Sequence, residues 1–410
     1  MPRDLKYACI VIACLVLACG ADQARAAEQD ALAISANIQQ RHMPNGTVID
    51  PVFASATSQN IVAYTRGGDS AIWTGHYLAA EAFRYKVTGS PDALANVWSA
   101  LRGIRSLRVV TGNNLLARCL VPVNWQFASA ITNEEASHGI FNGTVDGQQF
   151  KWVGGTSRDQ YSGVFFGLGV AYDVVDDATV RAFISNEVTG LLSYLIDHDW
   201  AVIMPDFSIS TVFLGRADQQ LSFLAVGRRV NPEQFDSAYT NFRSEFSLEV
   251  LVPIAIESLD DYGSYFKFNL DEINLYNLIR LEDIKRNRKR YMKAYRILRS
   301  TIANHGNAHF NVIDRALTGP DSTRDAEIVS ELDDWLTRPR RDVFVDNRGK
   351  FPACGGNRAC DPLPVAVRVP TDFLWQRNPF DLSGGGAGTI ESAGIDYVLP
   401  YWMARFYGVL

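Results

Sequence analysis

Past residue 27 the chain shows almost no alternation of apolar and polar residues at period two. What recurs is the three-to-four spacing of one-sided helices, broken by Pro, Gly and Asp. That periodicity predicts twelve helices, over 28–42, 69–87, 92–109, 158–175, 178–198, 217–229, 232–258, 264–281, 284–303, 308–317, 322–336 and 395–407. The links between them fall into two classes. Short ones carry turn and cap residues: T-G-S-P around Ser90, V-D-D around Asp176, R-V-N-P around Asn231, E-D near Asp283 and T-G-P-D-S near Pro320. Long ones, 43–68, 110–157, 199–216 and 337–394, hold most of the irregular chain. Alternating short and long links between antiparallel helices imply stacked αα-hairpins with the long loops gathered at one end. The expectation is an all-α fold in which six hairpins close into an (α/α)6 toroid. Its even-numbered helices would form the inner ring, with the long loops on one face.

Composition sets the size of the unit. A chain of 410 residues, 47% hydrophobic, can bury one large core, so 27–410 reads as a single domain. The proline-rich segment 337–394, with its Gly384-Gly385-Gly386 run, reads as an ordered flap rather than a linker. The first residues have a basic start, a short apolar stretch and then Ala24-Arg25-Ala26, which predicts a secretory signal peptide over 1–26, too short to span a bilayer. The alternative is a lipoprotein signal ending before Cys19 in L-V-L-A-C-G. Either leader implies export to a periplasm or beyond, with membrane attachment only through a lipid on Cys19. Three of the six cysteines lie in the leader; Cys354 and Cys360 bracket G-G-N-R-A and predict a local disulfide, leaving Cys119 as a buried free thiol. Sequons at Asn45 and Asn142 would matter only in a eukaryotic source.

A net charge of -6 carries no electrostatic footprint for nucleic acid. The basic run 284–296 places Ile284, Tyr291 and Tyr295, with Leu298 beyond it, at roughly helical spacing and reads as a solvated outer helix. There is no G-x-S-x-G elbow, no phosphate-cradling loop and no C-x-x-C past the leader. Serine or cysteine hydrolase chemistry and nucleotide binding therefore fall away, and no cofactor is expected.

The N-terminus of a helix offers free N–H groups and a partial positive charge, which favour acids and polar ligands. The second predicted helix opens with R-G-G-D-S-A-I-W-T-G-H-Y, giving Arg66, Asp69, Trp73 and His76; the last three share one face. The fourth opens with Arg158, Asp159, Gln160 and Tyr161, the sixth with Arg216, Asp218 and Gln219, and the twelfth with Asp396 and Tyr397. Asn304, His305, Asn307 and His309 lie at the start of the tenth. The loops add Arg118, Trp125, His138, Trp152, Trp375 and Arg377. Carboxylates, amides, arginines and indoles gathered in one cleft suit carbohydrate: flat rings stack on sugar faces and bidentate groups hold vicinal hydroxyls or uronates. Each residue also has a plainer role. A lone Asp at a helix start is commonly a cap, although Thr156 or Ser157 can already cap the helix of Asp159. Trp73, His76 and Tyr161 could be core, and His305 with His309 lacks a third metal ligand, so no metal site is expected.

The stretches D-S-A-I-W-T-G-H-Y-L-A-A-E-A-F-R-Y-K-V-T-G-S-P-D-A-L and S-R-D-Q-Y-S-G-V-F-F-G-L resemble the six-hairpin glycosidase-like superfamily. The resemblance implies a toroid over most of the chain and a glycan-active enzyme whose acids sit near inner-helix N-termini. On this sequence those positions are Asp69 and Asp159, with Asp396 in reserve; the glutamate-based signature of cellulase-like members is absent from both. The expected activity is hydrolysis of a glycosidic bond in an oligo- or polysaccharide, one carboxyl group donating a proton and the other activating water. Two alternatives stand beside it. One is a polysaccharide lyase acting on a uronate-containing glycan through Tyr161, His138 or Asn307; the other is a non-catalytic glycan-binding protein.

Overall fold

The computed structural model describes residues 28–410 except 261, 264 and 355. The predicted leader, with Cys9, Cys14 and Cys19, lies outside the described residues. Helices fill most of the predicted segments. The first, α1, covers 28–37 and continues as a π-helical turn over Ile38–His42. There follow α2 (Ser70–Thr88), α3 (Pro91–Val109), α4 (Ala128–Glu134), α5 (Arg158–Val174), α6 (Ala178–Asp197) and α7 (Ala217–Val230). The rest are α8 (Pro232–Phe246), α9 (Leu251–Glu257), α10 (Tyr265–Leu281), α11 (Lys285–Ile302), α12 (Ala308–Thr318), α13 (Ser322–Leu336) and α14 (Ile395–Phe406). Their starts follow local chemistry: Pro91 and Pro232 occupy first-turn positions, and Asp177, Asn307 and Asp321 accept backbone N–H bonds as caps.

The all-α expectation is wrong. The described chain is 57% helical and 13% strand, with fourteen helices rather than twelve and three sheets, so the fold is mixed. Every long link expected to be irregular holds strands. β1 (Asp50–Phe53) and β2 (Ile61–Thr65) occupy the first, and β3 (Cys119–Pro122), β4 (Ile140–Val145) and β5 (Gln148–Val153) the second. β6 (Ala201–Ile203) and β7 (Ile209–Val212) occupy the third, β8 (Arg341–Asp346) and β9 (Ser383–Glu391) the fourth. A four-stranded sheet runs β2-β1-β9-β8, a three-stranded one β3-β5-β4, and β6 pairs with β7. The β4–β5 turn is Asp146-Gly147, both at positive φ (50° and 83°), the hairpin turn whose twist matches its strands. The segment expected as one helix over 232–258 splits after Phe246. Pro253 has no N–H to donate to residue 249, and its ring would clash with that carbonyl, so the chain restarts as α9 with proline in the first turn.

The buried helices pack in a circuit: α2 on α5, α5 on α7 and α10, α7 on α10, α10 on α12, α12 on α14, and α14 back on α2. The more exposed α3, α8, α11 and α13 each lie against the helix before them. One apolar core reaches from Ala31 to Ala404. α2 and α5 meet backbone to backbone: a Cβ on Gly75 would stand 2.1 Å from the Gly163 carbonyl oxygen, and one on Gly167 would stand 2.2 Å from that of Gly75. Cys354 and Cys360 lie at disulfide distance, Cα to Cα 5.0 Å, and Cys119 is free and buried. Among the described residues no helix is long and apolar enough to cross a membrane.

Candidate functional site

The approach to α2 is held by two consecutive glutamates at the end of α4. Arg66 adopts a left-handed conformation (φ 61°) and its N–H donates to Glu134 Oε2 at 2.9 Å. The N–H of Gly68 donates to Glu135 Oε1 at 2.7 Å, and a Cβ there would lie 2.8 Å from that carboxylate, so a side chain at 68 would push the Glu135 carboxylate aside. Glu135 also bonds His138 Nδ1 at 2.8 Å. The 3-10 turn Gly67–Asp69 then delivers Asp69 to a cavity of about 310 Å³. Arg66, Arg118, His138, Glu134, Glu135, Asp50 and Asp372 stand in its wall beside Trp73 and Gln376. A second cavity of about 360 Å³ shares Asp69, Trp73, Asp372 and Gln376 with the first and adds Asp159, Phe266 and Asn269.

Asp69 is held from three sides. Gln160 Nε2 donates to its Oδ1 at 3.1 Å while Gln160 Oε1 accepts the N–H of Ile72 at 3.0 Å, pinning the first turn of α5 to that of α2. Gln376 Nε2 reaches Oδ2 at 3.4 Å, and the Arg118 guanidinium lies 3.9 Å from Oδ1. Arg118 is itself a strap, donating to the carbonyls of Gly68 and Gly155 and to Ser157 Oγ. Burial, then the charge of Asp159, raises the Asp69 carboxyl above its ordinary value against the opposing pull of Arg118 and Gln160. The wall is a chain of alternating charges: Arg66 bonds Asp50 at 3.1 Å and lies 3.8 Å from Asp372, which Arg377 holds at 3.1 Å.

Of the residues singled out in the sequence, Arg66, Asp69, Trp73, Arg118, His138 and Asp159 line these cavities, and Gln160 touches them through Asp69. The others lie elsewhere. His76 is buried beneath Trp73, between the Ile72 carbonyl (2.9 Å) and Asn269 Nδ2 (3.1 Å), and burial pulls it down to about 4, so it is neutral. Tyr161 is fully buried; its hydroxyl accepts the N–H of Leu116 and burial holds it far above the range of a base. Trp152 packs on Phe141 in the hairpin sheet, Trp125 on Tyr64 and Phe127, and Trp375 stacks on His76. Arg158 is half-buried outside both cavities. Asp396, the reserve acid, is buried under the flap, where its Oδ2 accepts the N–H of Leu374 at 2.9 Å. Asp218 lies in a separate buried cluster with Arg216, Glu257 and Asp271. Asn307 caps α12, and His309 is buried against His76 and Trp375.

Sequence reasoning missed Asp50, Glu134, Glu135, Asp372 and Gln376. In T-D-F-L-W-Q-R it selected Trp375 and Arg377, whereas Asp372, Phe373 and Gln376 reach the cavity. The paired glutamates after the apolar turn of α4 were the available signal for the other edge. No protein-family model matches the chain, and no curated protein matches it.

Proposed function

We propose that the protein is an exported glycan-active enzyme that hydrolyses a glycosidic bond through Asp69 and Asp159. The observation that carries this reading is that both carboxyl groups line one cavity and that the charge of Asp159 helps keep a proton on Asp69. A carboxyl group whose proton affinity is raised beside a second carboxylate is the pattern of an acid and its partner. In this assignment Asp69 protonates the leaving oxygen, and Asp159 either takes a proton from the attacking water or itself bonds to the anomeric carbon, a bond that water then hydrolyses. Gln160, Gln376 and Arg118 fix the direction of Asp69, and Trp73 and Phe266 supply apolar ring surface for a sugar face. The leader supports an exported location, where polymeric glycans are met.

Asp69→Asn and Asp159→Asn, assayed for new reducing ends on a polysaccharide panel, should each lose roughly 10²–10⁴-fold in rate. Full activity in both variants would sink the assignment. One observation favours a second reading, a lyase: His138, oriented by Glu135, shares the cavity with Arg66 and Arg118, the residue types that abstract a proton beside a neutralised uronate. Absorbance from an unsaturated product end, lost on His138→Gln and kept on Asp69→Asn, would select it.

A further inference from the structure

We infer that the face formed by α9 and α11 docks on an anionic phospholipid bilayer. On α11, Lys285, Arg286, Arg288, Lys289, Lys293 and Arg296 are exposed. None of the six side chains makes an ion pair or hydrogen bond among the described residues, in a chain whose net charge is -6. The helix has no acidic residue, and the row from 285 to 296 runs about 16 Å along its axis. Its other face is buried through Tyr291, Tyr295 and Leu298, so these cations have no inward role.

The neighbouring element carries the second observation. Val252 and Ile256 on α9, with Leu248 in the turn before it and Leu259 in the turn after, recur at four, four and three residues and are 53–87% exposed. Arg290 of α11 donates to Ser247 Oγ at 2.8 Å and Thr301 of α11 donates to the Ser258 carbonyl at 3.3 Å. Both bonds join positions 43 apart in the chain, so the stretch 247–258 lies parallel to 290–301. Glu257 is drawn off the stripe by its bond to Arg216, which leaves Glu249, exposed beside Leu248, as the acid on this stretch that the six cations outnumber. An aliphatic stripe beside a row of unpaired cations is the pairing that a headgroup boundary takes up: apolar side chains enter the acyl edge while lysines and arginines meet lipid phosphates. A second copy of the chain is a poorer occupant, because a symmetric contact would set the cation row near itself. A soluble polyanion would leave the aliphatic stripe without a function.

The test is co-sedimentation of the full chain with vesicles of phosphatidylglycerol mixed with phosphatidylcholine, against phosphatidylcholine alone. Binding to the anionic vesicles only, weakened by salt, is expected. Lys289→Glu with Lys293→Glu and Arg296→Glu should weaken it roughly a hundredfold. Val252→Ser with Ile256→Ser should weaken the part that survives high salt. The leader is common to all variants, so binding through it cannot imitate these losses. Equal binding to neutral vesicles, no binding, or indifference to both variant sets would overturn the inference. So would a dimer dispersed by the Val252 and Ile256 variants, or capture of polyphosphate, where vesicles are not bound.

Discussion

Asp69 sits where three influences meet: a partly enclosing wall, a neighbouring carboxyl group and an arginine that is mostly committed to backbone carbonyls. Burial and Asp159 raise its proton affinity, and Arg118 and Gln160 lower it. The sign of a test follows. Replacing Asp159 by Asn removes a negative neighbour, so the Asp69 carboxyl falls back toward its ordinary value. A reaction that needs Asp69 protonated loses rate as pH rises through that value. The basic limb of kcat/KM should therefore move to lower pH in whatever activity Asp159→Asn retains, and a pH–rate profile reads the shift; a limb that stays in place would separate the two groups. At this scale the sequence showed the residues of a helix start well. Arg66, Asp69, Trp73 and Asp159 were visible because helix N-termini have chemical signatures. The loop aromatic and flap residues were not, because a tryptophan outside a predicted helix reads the same whether it faces a cavity or fills a core, as Trp152 and Trp375 do. Only the path of the chain distinguishes Trp375 from Gln376.

Between elements, the contact of α2 with α5 is set by glycine rather than by interlocking side chains. With Gly75 facing the carbonyl of Gly163, an added methyl has backbone to displace, not a movable side chain. Gly75→Ala should destabilise the protein by about 1–3 kcal/mol or more, read as a drop in the denaturation midpoint with an unchanged slope. An unaffected midpoint would mean the helices can part freely. The helices themselves were legible: α5 and α6 begin where the sequence placed them, α6 because Asp177 caps it, whereas Ser157 stands at the start of α5 without a capping bond and accepts from Arg118 instead. The strands were not, since all but β9 are six residues or fewer and none alternates buried with exposed positions along its length. β9 contains Gly384-Gly385-Gly386, a run with low strand preference, and is ordered by pairing with β8 rather than by its own residues. The Asp146-Gly147 turn was the one overlooked local sign of a hairpin.

Across the whole molecule, His42 ties distant parts of the chain together. Its ring, fully buried, faces Asp50 of β1 at 3.3 Å and Glu391 of β9 at 3.4 Å. Burial opposes its charge, but the hydrogen bonds to the two carboxylates outweigh that and raise it above 6.5; burial likewise pushes Glu391 up, and His42 and Asn37 outweigh it, bringing Glu391 to about 2. The stabilisation from His42 is full below about 6.5 and fades as pH rises through its raised value. That from Glu391 is full above about 4.5 and fades as pH falls toward about 2. His42→Ala should therefore cost about 3–5 kcal/mol between those limits, with the gap in melting temperature narrowing on either side. A gap that is flat with pH would exclude a charged His42.

The bond from Leu374 to Asp396 has a consequence in time. Synthesis runs from the N-terminus, so α14 leaves the ribosome after the flap that it anchors. Asp396 in its first turn anchors the flap whose neighbouring residues Phe373 and Gln376 close the cavity. A chain made only as far as the flap therefore has no finished cavity, and whatever chemistry Asp69 performs begins only once α14 has followed it.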